Sequence, residues 1–460
     1  TTEQPNQPPT PINRPAKPNF VVMICDDLGY GDLGSYGSKL KTPNLDAMAR
    51  EGMRLTHFNS PNPTCSASRA CVITGRYAQR CGVTRVYFPF DKGGMNLDES
   101  TIANVLKPRG YTSMAIGKWH LGQEPQYLPT SRGFDHYFGV PYSVDMSPLP
   151  MIRDTTVIEP HTDRNLLTQR YTKNAIKFIQ ASKDRPFFLY LAYSYPHIPI
   201  HASKNFRGKS KQGIYGDAVM EIDWSVGEIR RTLRELGLEE NTLVMFTSDH
   251  GPWYQGSPGM LRGRKDTSFE GGCRVPLLAS WKGQIPPGKV SGAWTSNLDI
   301  LPTLAALSDA PLPPKPLDGI NIWEVLTNKK DQTERDVMLY LSGDDWNVYC
   351  GRLNSWKLRF AEHNTPPYDL QPVQGRHTYR LAHPELYELS GDPMESYDVA
   401  QENPKLVQQI LQRVDEKIMS FPAPVQQAYQ AQQQLVSTPF TSPGARPRQS
   451  GGKEPPWHKT

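Results

Sequence analysis

Short apolar runs alternate with amphipathic stretches along most of the chain. Asn19 to Cys25 (NFVVMIC) is apolar almost throughout, as a strand buried on both faces requires. Thr42-Pro43 opens a helix through PNLDAMAREGM, with Thr as the cap and Pro in the first turn. Further strands are predicted at residues 111–116, 186–193 (PFFLYLAY) and 242–247 (TLVMFT). Between 218 and 236, Val219, Ile222, Val226, Ile229, Leu233 and Leu236 recur at spacings of three and four, which predicts an amphipathic helix. This alternation predicts an α/β fold, a large mixed, mostly parallel sheet sandwiched by helices. After about Glu334 the texture changes. VMLYLS, WNVYCGRL and WKLRFAE read as short strands, followed by a helix near Pro404 to Phe421. They predict a smaller C-terminal antiparallel-sheet subdomain with a helix. Residues 1–18 read as a proline-rich extended arm and 426–460 as an irregular tail. That leaves 19–334 as the main domain and 335–425 as the smaller subdomain.

Bulk properties narrow the partners. A chain of 460 residues can bury a large core, and a net charge of +5 suits an anionic small molecule while giving no nucleic-acid footprint. No apolar run reaches the roughly 18 residues that span a bilayer. The six cysteines are scattered and form no CxxC pair, so a disulfide scaffold and a zinc knuckle are disfavoured, while a Cys71–Cys81 bond stays open. The chain starts at Thr1 without Met and holds no N-x-[ST] sequon with a non-proline middle residue. Both fit an exported bacterial protein, secreted or periplasmic.

Ligands of open α/β sheets sit beyond the carboxyl ends of the strands. Four predicted strand ends carry charged or imidazole groups: Asp26-Asp27, Lys118-Trp119-His120, Tyr195-Pro196-His197 and Asp249-His250. An isolated Asp-Asp pair ordinarily caps a turn. Joined by Asp249, however, these carboxylates repel unless a cation lies among them, and oxygen donors suit Ca²⁺ or Mg²⁺. Arg69, Lys118 and Lys265 lie beside tight turns. Singly each is an ordinary surface charge, but together they suit a tetrahedral oxyanion. His120 and His197 suit general acid–base work. Cys65 begins a small-residue helix (CSASRACVITGRY), where a thiol is acidified. Three readings compete for it: a buried structural thiol, a thiolate nucleophile, or a precursor of something else. Soft sulfur matches a hard cation poorly, so an oxygen nucleophile fits this neighbourhood better.

C-S-A-S-R followed by TGR resembles the signature of the type I, formylglycine-dependent sulfatases of the alkaline phosphatase superfamily. The resemblance continues through DDLGYGDLGSYG, TPNLDAMAREG, GKWHLG, RGFDHYFGVPYS, PHIPIHAS, FTSDHGP, GRKDTSFEGGCRVP, LDILPTL and LYELSGDPMESYD. It is strongest to the arylsulfatase A and N-acetylgalactosamine-6-sulfatase branch. It implies that Cys65 is matured to formylglycine (3-oxoalanine) by a formylglycine-generating enzyme. It also implies one Ca²⁺ held by Asp26, Asp27, Asp249, His250 and the modified Cys65. A gem-diol oxygen would then attack the sulfur of a sulfate monoester and expel the alcohol, leaving a sulfated enzyme intermediate. Loss of a proton to His120 would release sulfate. By the same resemblance Arg69 and Lys118 stabilise the diol and the sulfate charge, His197 and Lys265 serve the sulfate and the leaving oxygen, and Ser143 contacts sulfate. Two positions depart from the pattern: Ala67 stands where Pro is commoner, and His250 where many relatives carry Asn. The expected substrate is a sulfated carbohydrate. A phosphate or phosphonate monoester hydrolase and a catalytically silent anion-binding homologue are the alternatives. Loops 141–160, 252–262 and 343–383 are expected to shape the leaving-group pocket. Trp253, Tyr254, Trp346 and His383 are the candidate sugar contacts there, although each is more often ordinary packing.

Overall fold

A computed structural model describes residues 17–363 and 378–434. The first strand shows how the sheet is built. In β1 (Asn19–Cys25), Phe20, Val22 and Ile24 enter one core while Val21, Met23 and Cys25 enter the other. Side chains alternate between the two faces of a strand, so an apolar residue at nearly every position buries both. In chain order β2 (Met53–Asn59), β3 (Thr112–Lys118), β4 (His136–Val140), β5 (Met151–Arg153) and β6 (Thr156–Glu159) follow. After them come β7 (Phe187–Ala192), β8 (Thr242–Ser248), β9 (Arg274–Ser280), β10 (Lys289–Ser291) and β11 (Thr295–Ser296). They form one sheet in the order β10-β2-β9-β8-β1-β7-β3-β4-β5-β6, with β11 beside β2. The central run β8-β1-β7-β3-β4 is parallel, and β9, β5 and β6 pair antiparallel, so the sheet is mixed as predicted.

Helices cover both faces. α1 (Pro43–Glu51), α3 (Leu167–Ala181) and α4 (Gly213–Glu235) feed one core, and α2 (Cys65–Thr74) feeds the other. α4 carries the predicted stripe of Val219, Ile222, Val226, Ile229 and Leu233, all buried. It starts before residue 218 and ends with Leu236 as its C-cap.

The smaller sheet is antiparallel throughout: β12 (Met338–Leu341), β13 (Val348–Leu353), β14 (Trp356–His363) and β15 (Thr378–Glu388) lie in sequence order. Two helices, α5 (Pro404–Ile418) and α6 (Ala423–Gln434), accompany it where one was expected. The expected irregular tail from 426 is therefore helical as far as Gln434. Val425 and Tyr429, one turn apart, are both buried, and the Tyr429 ring meets Phe360 edge-on at 5.9 Å. The 1–16 part of the expected arm, the 364–377 part of the 343–383 segment, and residues 435–460 lie outside the described residues.

Two contacts hold this sheet against the main one. The Lys357 ammonium on β14 stands 3.0 Å from both Glu270 and Glu395, and all three side chains are fully buried. Gly343, just after β12, lies so close to Thr64 that a Cβ there would come within 2.2 Å of it. Nearby, the Asn62 amide donates to the carbonyls of Leu341 (3.2 Å) and Ser342 (2.9 Å). All six cysteines are free, so the Cys71–Cys81 bond left open above is not formed. Cys71 Sγ instead donates to Asn62 Oδ1 and Cys81 Sγ meets Thr74 Oγ1. Among the described residues no helix is long and apolar enough to cross a membrane.

Candidate active site

Strand register decides where the site forms. Cys25 lies opposite Ser248, Ile24 opposite Ala192, and Ala192 opposite Gly117. Four chain segments therefore leave the sheet at one level, carrying Asp26-Asp27, Asp249-His250, His197 and Lys118-His120. Gly117 adopts φ +98 with its missing Cβ facing Ala192 O, so no side chain fits where β3 approaches β7. Asp27 (φ 67) and His120 (φ 62) hold left-handed conformations uncommon for residues with side chains.

Helix α2 aims its first residue into this cluster. Thr64 is the extended N-cap, and its Oγ1 donates to Asp266 Oδ1 at 2.8 Å. Cys65 Sγ lies 3.6 Å from Asp26 Oδ1, 3.4 Å from His250 Nε2 and 3.4 Å from Lys265 Nζ. Asp26, Asp27, Cys65 and His250 each offer a donor atom, and these four atoms lie within 4.8 Å of one another. Asp249, the fifth expected ligand, stands immediately behind. Its Oδ1 is 3.6 Å from His250 Nε2 and its Oδ2 accepts from Arg69 at 3.0 Å.

Cations enclose the cluster. Lys118 Nζ is 2.6 Å from Asp26 Oδ2, Lys265 Nζ is 2.7 Å from Asp27 Oδ1, and Arg69 Nη2 reaches Asp26 Oδ1 at 3.5 Å. Burial alone would push the Cys65 thiol up, but Lys118, Lys265 and His250 hold it well below its ordinary range. His120 is pushed down to about 4 by burial, with the Lys118 charge adding to it. His197 moves the other way: burial pushes it down, but Asp27, Asp26 and the Cys65 side chain together raise it. Hydrogen bonds fix the tautomers. His120 Nε2 faces the Tyr87 carbonyl at 3.0 Å, so it carries the proton, and its buried Nδ1 has no hydrogen-bond partner among the described residues. His197 Nδ1 faces the Ile198 carbonyl at 2.5 Å, while its Nε2 lies 3.4 Å from Ser143 Oγ and 3.8 Å from Asp27 Oδ2.

The donor set suits a hard divalent cation in all but one member. Two carboxylates and an imidazole converge, and Asp27 Oδ2 is buried without a hydrogen bond from any described residue. The misfit is sulfur at position 65, where an oxygen donor would complete the set.

The cluster opens into a cavity of about 430 Å³. Cys65, His120, Ser143, His197 and Lys265 line it, as expected for the site residues, whereas Asp26, Arg69 and Lys118 are buried beneath. Its further lining includes Arg85, Phe88, Asp145, Met146 and Asp344, which sequence reasoning did not single out. Two expected loops contribute, 141–160 through Ser143, Asp145 and Met146, and 343–383 through Asp344. The candidate sugar contacts lie elsewhere. Trp253 and Tyr254 pack edge-to-face on each other at 5.0 Å, Trp346 packs against the core, and His383 is exposed on β15. A second cavity of about 390 Å³ lies at the other end of β8, lined by residues such as Leu233, Val244 and Trp281, and holds no comparable cluster. The run RVYFPFD at 85–91 offered one signal for the missed rim: aromatic residues crowded into a stretch with neither helical nor strand period.

Residues 18–310 match the sulfatase family and residues 333–450 match the C-terminal region of aryl-sulfatase. Human arylsulfatase A is 38% identical over 439 residues, covering 86% of each chain. The dog N-acetylgalactosamine-6-sulfatase is 39% identical over 385 residues, 75% of this chain and 74% of that one. In structure, the PsFucS1 sulfatase from Pseudoalteromonas sp. superposes with a TM-score of 0.80 at 30% identity, over 88% of this chain and 90% of that one.

Proposed function

The chain belongs to the sulfatase family and is a sulfuric ester hydrolase, and from this premise we propose that it removes sulfate from a sulfated carbohydrate with an oxygen nucleophile borne by residue 65. One observation carries the reading. Cys65 opens a helix in direct contact with Asp26, His250 and Lys265, at the floor of a cavity whose other polar residues include His120, His197 and Ser143. When present, formylglycine at position 65 supplies the nucleophilic oxygen in its hydrated form, and Ca²⁺ held by Asp26, Asp27, Asp249, His250 and that oxygen supplies positive charge.

The chain's own residues do the rest. Lys265 and His197 cover the cavity side of residue 65 and bind the sulfate oxygens, with Ser143 as a further donor beside His197. His197 Nε2 hands a proton to the departing alcohol oxygen. His120 Nδ1, buried and unprotonated, takes the proton whose loss releases sulfate. Arg69 and Lys118 act from below. They pair with Asp249 and Asp26 and add positive charge beneath the reacting group.

The test is the mass of the tryptic peptide 55–69, which carries Cys65. Conversion of the side chain from CH₂SH to CHO lowers the mass by about 18 Da, unlike any product of the cysteine oxidation ladder. An active enzyme with an intact thiol would overturn the proposal, as would residual turnover by Cys65→Ala protein that remains folded.

A further inference from the structure

We infer that Phe88 is the platform on which the leaving group stacks, and that this group is an uncharged sugar ring. The inference rests on the reading above and deepens it.

Phe88 lines the same cavity as Cys65 and yet is 56% exposed. Its neighbour Phe90 is 80% exposed and holds φ 72, a conformation rarely adopted by bulky side chains. Exposed aromatic surface at the mouth of a catalytic cavity marks a binding surface. The segment is nevertheless pinned. Phe88 N–H donates to Asp91 Oδ2 at 2.7 Å, Asp91 N–H returns to Phe88 O at 3.1 Å, and the Gln123 amide donates to the carbonyls of Phe88 and Asp91. The preceding residue, Tyr87, is buried, and its carbonyl meets His120 Nε2 at 3.0 Å. The backbone that carries the Phe88 ring is therefore held at a fixed offset from a catalytic imidazole. A platform needs that rigidity, because ordering a loose loop would cost binding energy.

The remaining lining names the kind of ring. Val86 and Met146 extend the apolar surface, while Asp145 and Asp344 bring carboxylates, as does Asp266, whose Oδ1 also accepts from Thr64. Arg85, the one arginine among the described residues of the lining, is paired with Asp91 at 3.3 Å. A pyranose offers a C–H face to an aromatic ring and hydroxyl donors to carboxylates, so both surfaces are matched. A second sulfate or a uronate would instead bring negative charge against these carboxylates. The sulfate being cleaved escapes that repulsion, because it sits at the floor beside Lys265 and His197.

The matured enzyme is assayed on galactose monosulfates, the corresponding galactose disulfates and 4-nitrophenyl sulfate. Phe88→Ala should raise KM for the preferred monosulfate by about tenfold with kcat little changed, and Phe88→Tyr should restore it. Wild type should favour mono- over disulfate by about fivefold or more in kcat/KM at low ionic strength, and this preference should shrink in about 0.5 M salt. It should shrink likewise in the Asp145→Asn, Asp344→Asn double variant. An unchanged KM in Phe88→Ala, or a preference for disulfates, overturns the inference while the hydrolase reading stands. A matured protein inert toward every sulfate ester removes the hydrolase reading, and this inference with it.

Discussion

Lys357→Met tests the buried clamp between the two sheets. The substitution keeps most of the side-chain volume but leaves Glu270 and Glu395 facing each other without the ammonium 3.0 Å from each. Removing one partner of a buried ion pair costs about 3–5 kcal/mol. A second route gives a similar figure, since the variant can escape by protonating one carboxylate. At pH 7, holding a carboxyl of ordinary pKa near 4.3 protonated costs about 3.7 kcal/mol. Other partners limit the loss. Glu270 keeps the Asn59 amide at 3.3 Å, and Glu395 keeps the Glu270 backbone N–H at 2.6 Å. A loss of about 3 kcal/mol is therefore expected by urea denaturation followed through tryptophan fluorescence.

The pH dependence has a definite sign. In wild type, burial pushes Glu270 up, but Lys357, Arg352 and Arg274 bring it down to about 2. A depressed carboxyl stabilises above its unfolded pKa, and that contribution is lost as pH falls from about 4.5 toward 2. In the variant the trapped carboxyl is raised instead, so its penalty is incurred as pH climbs above about 4.3. The variant's carboxyl alone narrows the gap between the proteins to roughly 1 kcal/mol at pH 5, and the loss of the wild-type contribution narrows it further below about pH 4.5. A loss below about 1 kcal/mol at pH 7, or a gap that widens toward pH 5, would refute the reasoning.

Two further outcomes follow from the site and its support. Stripping divalent ions with a chelator should abolish turnover and lower the unfolding midpoint, and Ca²⁺ at a hundredfold excess over its Kd should restore about 2.7 kcal/mol. An unchanged midpoint would remove the cation from the cluster. Gly343→Ala forces a Cβ to within 2.2 Å of Thr64 and should cost about 1–3 kcal/mol by overpacking. Because Thr64 caps α2, kcat should fall as well, and wild-type kinetics in this variant would show that the helix start tolerates the shift.

What the sequence disclosed, and what it hid, follows from how far each feature depends on distant contacts. The buried strands and the groups at their carboxyl ends were legible because alternation and strand termini are local properties. Asp26, Asp27, Lys118, His120, His197 and His250 gather because register aligns those ends. The rim was illegible. Asp344 reaches the cavity only because β12 docks beside Asn62, a contact spanning 280 residues. Phe88 looked like any loop aromatic until its backbone was seen tied to Gln123 and its neighbour Tyr87 to His120. The aromatic residues chosen instead, Trp253 and Tyr254, found partners in each other. α6 was missed because its glutamine-rich sequence hides a buried pair, Val425 and Tyr429, behind polar composition.

The burial of α2 sets an order of events in the life of the chain. Ser66, Ala67, Ser68 and Arg69 have no solvent exposure, and Cys65 has 3%. A second protein acting on Cys65 must therefore grip the segment while it is still extended. The seal over it closes late, because Asn62 waits for the carbonyl of Ser342, 280 residues further on. At about 5–20 residues per second of synthesis, that separation leaves roughly 15–60 s. On the proposed reading, maturation of Cys65 must therefore precede the closing of this segment, and a copy that folds first keeps its thiol buried.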